Sequence, residues 1–183
     1  APEITYDPGK KEYMIYWAST IPGRFKEGDT SGDARYNHRL YYTTTRDFKS
    51  YSPTKLLYNN GFNVIDATIV PYAGKYIMFL KDETKKPPQK NIKIAIGKRL
   101  NRGYGRASAP ITGDYWAEGP TVIRIGRRWI VYFDKYTKHQ YGAIESTDLK
   151  NWKDISDQLN MPEGIRHGTI FEISKKEFET FFK

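Results

Sequence analysis

The chain has 183 residues, 38% of them hydrophobic and 28% charged, with fifteen Tyr, nine Phe, four Trp and no Cys. That balance describes a folded globular chain rather than a disordered one. The lack of Cys excludes disulfides, thiolate metal sites and a cysteine nucleophile, and no apolar run reaches the roughly 18 residues of a transmembrane helix. A net charge of +9 invites a nucleic-acid reading, but no zinc-finger, RNP or GXXG pattern accompanies it.

In chain order, Ala1-Pro2-Glu3-Ile4 already reads as structure, with no signal-peptide pattern ahead of it. Glu3–Tyr6, the turn Asp7-Pro8-Gly9-Lys10 and Tyr13–Trp17 form a first hairpin. A strand over Leu40–Thr44 leads into Thr45-Arg46-Asp47-Phe48-Lys49-Ser50-Tyr51, where Asp47 caps a tight turn and an aromatic packs back. Asp66–Val70, the turn Tyr72-Ala73-Gly74-Lys75 and Tyr76–Leu80 repeat the hairpin. Residues 81–106 hold nine Lys or Arg against Asp82 and Glu83, and read as a solvated, loop-like connection. Glu118–Ile123, the turn Gly126-Arg127-Arg128 and Trp129–Phe133 give the hairpin a third time. Gln140–Glu145 and Ser146-Thr147-Asp148-Leu149-Lys150-Asn151-Trp152 repeat the strand and capped turn. Arg166–Phe171 reads as one more inner strand, and Lys175–Phe182 as a short helix.

The repeat length, about four strands in some 50 residues, suits a propeller blade. Strand runs apolar on both faces are expected where blade packs on blade. A β-sandwich has a similar strand count, but it gives no reason for Glu3, Asp66 and Glu118, each opening a repeat, to meet. In a propeller, equivalent inner-strand positions converge on one axis. The reading is therefore all-β: an arc of about three full blades plus the inner strand of the last, forming one partial domain over residues 1–183.

Carboxyls gathered in one pocket raise one another's pKa, the device that glycoside hydrolysis uses to keep one acid protonated and one ionised. Trp17, Tyr115 and Trp116 are placed to stack on sugar rings. Glu3 is placed to bind sugar hydroxyls, and Arg166 to pair with a channel carboxylate or with the sugar. Asn63 and Phe62 precede Asp66 and read first as an ordinary turn. His38 and His139 read as solvated loop residues without metal-ligand spacing.

Taken together, Ala1-Pro2-Glu3, Val64-Ile65-Asp66-Ala67, Trp116-Ala117-Glu118-Gly119-Pro120 and Arg166-His167-Gly168-Thr169 resemble the family 43 glycoside hydrolases over essentially the whole chain. The resemblance implies a five-bladed β-propeller and an inverting glycosidase acting on arabinose-, xylose- or galactose-containing polysaccharide. It implies Glu118 as the general acid and Asp66 as the carboxylate that tunes and orients it. His167 is implied near the axis, beside a bound cation or its waters; for that histidine a packing role and a cation role stand equally. No cofactor is required, and the metal that suits the position is a structural calcium ion. Ala67 replaces the proline that usually follows the second acid. The family's base Asp belongs to a first blade ahead of Ala1, so roughly a hundred residues of a full propeller lie outside the chain. A complementing N-terminal chain is the preferred explanation, self-association or an inactive remnant the others. The alternative function is a non-catalytic carbohydrate-binding propeller. Family analogy implies secretion or a periplasmic site, a carbohydrate partner and no nucleic acid.

Overall fold

In the computed structural model, which describes residues 1–26, 36–162 and 164–181, three antiparallel sheets and one short helix follow one another along the chain. The first sheet is β1 (Glu3–Asp7), β2 (Glu12–Ser19), β3 (Arg39–Thr45) and β4 (Lys55–Tyr58), in that order. The second is β5 (Val64–Tyr72), β6 (Lys75–Asp82) and β7 (Asn91–Gly97). The third is β8 (Glu118–Ile125), β9 (Arg128–Lys135), β10 (Gln140–Ser146) and β11 (Lys153–Asp154). Each begins with a hairpin at the turn read from the sequence. Between β5 and β6, Ala73 and Gly74 both take positive φ, 49° and 73°, the twist that a two-residue hairpin needs.

The middle strands show why the runs are apolar on both faces. Along β6, Met78 and Leu80 pack with Met14, Tyr16 and Leu40 of the first sheet. Ile77 and Phe79 alternate to the other face and pack with Val122, Trp129 and Val131 of the third. The second sheet is thus buried on both sides, and each such side chain contributes about 1.5–3 kcal/mol. The Tyr16 hydroxyl, buried against β5, accepts a hydrogen bond from the Ile69 backbone N–H at 3.0 Å. Burial pushes its pKa up to about 12.

Both capped turns form as read. Asp47 Oδ1 accepts from the N–H groups of Lys49 and Ser50, and Asp148 Oδ1 from those of Lys150 and Asn151, all at 2.8 Å. Trp152 packs back edge-on to Phe79, whereas Tyr51 stays exposed.

Two expectations are corrected. Residues 81–106 are not one loop: β7 runs through them, Lys81 and Lys90 are 1% exposed, and Lys93 pairs with Asp82 at 2.6 Å. The place of a fourth strand beside β7 is taken by an irregular segment in which Gly105, Ser108 and Ile111 donate to the carbonyls of Ile96, Ile94 and Ile92. Pro110, without an N–H, interrupts any regular ladder there. Nor does Arg166–Phe171 form a strand. No neighbouring strand is available to pair with it among the described residues, and it is tied to β8 by the Ile170 N–H donating to Thr121 Oγ1 at 3.1 Å and by the side chains of Arg166 and His167 on Glu118. The helix α1 (Lys175–Phe181) forms as read, capped reciprocally by Ser174 and Glu177.

Candidate active site

The strands β5 and β8 each carry a bulge at the same height. The β5–β6 register slips between Ile65 and Thr68, and the β8–β9 register between Glu118 and Thr121. The positive φ that a bulge demands falls on Asp66 (46°) and on Gly119 (57°). Aspartate tolerates this region better than most side chains, and bulges re-aim side chains beside active sites. The three acids do not share one register position. Glu3 lies four residues before the hairpin-closing Asp7, Asp66 six before Tyr72 and Glu118 seven before Ile125. Asp66 therefore matches Gly119, and convergence of the carboxylates depends on the bulges.

They do converge. Glu3, Asp66, Gly119, Pro120 and His167 line one cleft of about 190 Å³. Oxygens of Asp66 and Glu118 and a ring nitrogen of His167 lie within 4.8 Å of one another. Asp66 Oδ2 accepts the Gly119 N–H at 3.2 Å, which ties the β5 bulge to the β8 bulge. The Ala1 α-amino group lies 3.5 Å from Asp66 Oδ1.

Glu118 sits in a cage of cations. Lys81 Nζ reaches its Oε2 at 2.8 Å. Arg166 Nη2 and His167 Nε2 reach its Oε1 at 3.1 and 3.2 Å. Arg166 Nε also holds the buried Asp134 at 2.6 Å. Behind the cage, Lys81 reaches Glu83 Oε2 at 2.6 Å, and Lys90 pairs with the other oxygen of Glu83. Two buried lysines and two glutamates thus form a neutral quartet beneath the cleft. Burial alone would raise the Glu118 pKa, but the hydrogen bonds and charges of His167 and Lys81 outweigh it and hold it at about 2. The hydrogen bond to Glu118 raises the His167 pKa; burial opposes, and the charges of Asp66, Glu118 and Asp134 reinforce it. Glu3 moves the other way, its pKa raised chiefly by burial.

Of the residues read from sequence, Glu3, Asp66, Glu118, Arg166 and His167 are brought together. Trp17 is not: it lies on the face of β2 opposite the core-facing Tyr16, away from the cleft. Tyr115 is not either. Its ring stacks on Phe133, and its hydroxyl donates to Asp154 Oδ2 at 2.7 Å. Trp116 stands between, tilted against Tyr136 and facing Lys90. The sequence reading missed Lys81, Glu83, Lys90 and Asp134. Lys81 was detectable as a lysine extending the apolar run Tyr76–Leu80 into a strand whose partner, β5, carries Asp66 near its start. His38 was read as solvated, but its backbone N–H and Nδ1 lie 2.8 and 3.1 Å from Oδ1 of the buried Asn63. Both residues, with Asp66 and Glu83, line a second cleft of about 240 Å³.

Among the described residues, Asp66, Glu118 and His167 are three groups that could gather around an ion. The donor set fits calcium poorly. Calcium takes six to eight oxygens, whereas here one of three donors is a nitrogen and both Glu118 oxygens already face cations.

Residues 1–179 match the family model Glyco_hydro_43_rel, described as "Probable glycosyl hydrolase domain". The chain belongs to this family of glycosyl hydrolase domains. An alpha-L-arabinofuranosidase of Bifidobacterium longum subsp. longum is 28% identical over 91 residues, covering 45% of this chain and 8% of that protein. Among solved structures, a glycosyl hydrolase from Bacteroides ovatus superposes with a TM-score of 0.61 at 16% identity, covering 84% of this chain and 47% of that one. An endo-arabinase from Bacteroides thetaiotaomicron gives 0.61 at 9% identity, covering 83% and 52%. The chain spans about half the length of these structures, and its all-β fold is similar to the part of each that it covers. Among the described residues no helix is long and apolar enough to cross a membrane.

Proposed function

We propose that the chain is the greater part of the active site of an inverting glycosidase. Its substrates would be arabinose-, xylose- or galactose-containing polysaccharides, and its fold one partial domain of a five-bladed propeller. The observation that carries this reading is the meeting of Asp66 and Glu118 from separate sheets beneath an open cleft. In this reading Glu118 protonates the leaving oxygen. Asp66 orients it, being nearer to it than the roughly 6.5–9.5 Å that an inverting acid–base pair keeps. The general base comes from protein outside the chain, supplied by a complementing segment or a second copy. The exposed Ile4 and Tyr6 on the outer face of the first sheet support such packing. Glu118 is ionised in its cage, so substrate must displace Arg166 and His167, which are 60% and 40% exposed, before it can carry a proton. A polymeric substrate places the protein outside the cytoplasm.

A second reading is favoured by one observation: Glu3 is pushed up and Glu118 held down. Glu3 lines the cleft and Glu118 adjoins it through Asp66 and His167, and neighbouring groups whose pKa values are driven apart divide the acid and base roles. Glu3 would then be the acid and Glu118 the base. The experiment is hydrolysis of aryl arabinofuranosides, xylosides and galactosides by the full-length protein, with the product anomer followed by proton NMR. Release of the inverted sugar supports the proposal; binding of these sugars without any turnover would leave a carbohydrate-binding module instead.

A further inference from the structure

The net charge of +9 is not used by the cleft, where Lys81, Lys90 and Arg166 are matched by Glu83, Glu118 and Asp134. The first residues of β1 and the bulge residues of β5 and β8 line the cleft, so the hairpin turns lie at the far end, about 13–23 Å away at 3.3 Å per residue. Those ends adjoin one another: Arg124 of β8 lies over the Tyr72 ring of β5 at 4.8 Å, and Tyr72 packs edge-on against Trp129 of β9. Each turn presents a cation, Lys11, Lys75 and Arg127, all exposed. The turn after β7 adds Lys98, Arg99 and Arg102 at the same end, because Gly97 pairs with Tyr76. None of the six has a carboxylate partner among the described residues. The two capped turns, which follow β3 and β10 at this end, add Lys49 and Lys150, and their aspartates are occupied by backbone N–H groups.

Arg99 and Arg102 are the most telling pair. They exchange backbone hydrogen bonds, each N–H donating to the other's carbonyl at 3.3 and 3.4 Å, so their side chains stand directly opposite each other. Like charges so placed repel. The turn that holds them is rigidly built: Leu100 is buried in the core, and the Tyr104 hydroxyl donates to the Leu100 carbonyl at 2.8 Å. A side chain at Gly97 would strike the Tyr104 ring, its Cβ 2.8 Å away. Two cations fixed side by side without a counter-charge are relieved by a ligand that brings anions.

We infer that this far face is a docking surface for an acidic polysaccharide, one bearing carboxylates or sulfates along its length. The cations stand on separate turns spread over three sheets, a spacing that suits an extended chain with charge at each sugar. The choice of a glycan over other polyanions rests on the glycosidase reading; the existence of the basic face does not. Bound there, the polymer would be held near the protein while neutral side chains are cleaved at the opposite end.

The experiment is titration of the full-length protein with polygalacturonate, and in parallel with neutral arabinan, duplex DNA and phosphatidylserine vesicles, across a salt series. The inference expects polygalacturonate to bind more tightly than DNA or vesicles, with affinity falling as salt rises. The double variant Arg99→Gln/Arg102→Gln should weaken binding about tenfold and lower the slope of log affinity against log salt by about one to two. Lys75→Gln/Arg127→Gln should do the same, which covers misfolding of the first pair. Glu118→Gln should leave polygalacturonate binding unchanged, so loss of hydrolysis and loss of docking are read separately. Absence of binding at low salt, indifference to both double variants, or equal affinity for DNA or vesicles would overturn it.

Discussion

Lys81 Nζ lies 2.8 Å from Glu118 Oε2, joining a buried lysine at the end of β6 to the acid that opens β8. The same ammonium group holds Glu83 at 2.6 Å. Removing one member of such a buried set leaves the others unmatched, at a cost of about 3–5 kcal/mol. Lys81→Met should therefore destabilise the protein by roughly 3 kcal/mol in urea unfolding. Combining it with Glu118→Gln should cost clearly less than the two single changes added. Strict additivity would show that the pair does not interact.

The cage sets a pH window for stability. Glu118 is held at about 2, below its ordinary 4.5, so its contribution is whole above about pH 4.5 and is lost as pH falls toward 2. That contribution is on the order of 3 kcal/mol. The His167 pKa is raised above 6.5, so its contribution is whole below 6.5 and is lost as pH rises through the raised value. Thermal melts from pH 2 to 8 should show both limbs. Glu118→Gln should flatten the acid limb, and an acid limb unchanged by it would contradict the cage.

Gly119 is required twice, by its φ of 57° and by contact with His167, whose ring would lie 2.9 Å from an added Cβ. An L-residue at this φ costs roughly 1–2 kcal/mol. Gly119→Ala should destabilise by at least that much and push the imidazole away from Glu118. The His167 pKa, followed by NMR of the ring, should fall back toward its ordinary value. A stable variant with an unmoved His167 would refute this geometry.

Tyr16→Phe tests the seam between the first two sheets. It removes the acceptor for the buried Ile69 N–H, and an orphaned buried donor costs about 1–3 kcal/mol. Denaturant unfolding should show this loss, and amide exchange should accelerate at Ile69. An unprotected Ile69 in the parent protein would mean the seam is open.

Much of this was legible because hairpins and capped turns are local. Turn chemistry at Ala73-Gly74 and at Asp47 and Asp148 fixes them within a few residues, and alternation along β6 announced burial on two faces. The repeat also located Glu3, Asp66 and Glu118, although their shared pocket depends on bulges that sequence spacing conceals. What failed was non-local. Lys81 and Lys90 belong to a basic stretch, and only their partners Glu83 and Glu118 turn them inward. Tyr115 sits three residues before Glu118 and Trp17 next to Tyr16, the cross-strand partner of Glu3, but the Phe133 stack and strand alternation carry them elsewhere. Arg166–Phe171 has the composition of a strand and, among the described residues, lacks a neighbour to pair with.

The role of Glu118 is tested most directly by comparing leaving groups in Glu118→Gln of the full-length protein. A general acid matters most when the departing oxygen needs a proton, and removing one costs about 10²–10⁴-fold. The variant should lose that much on unactivated glycosides and far less on glycosyl fluorides, whose leaving group departs unprotonated, while sugar binding persists. Equal loss on both substrates would move Glu118 to the base role, and undiminished hydrolysis of both would remove it from the chemistry.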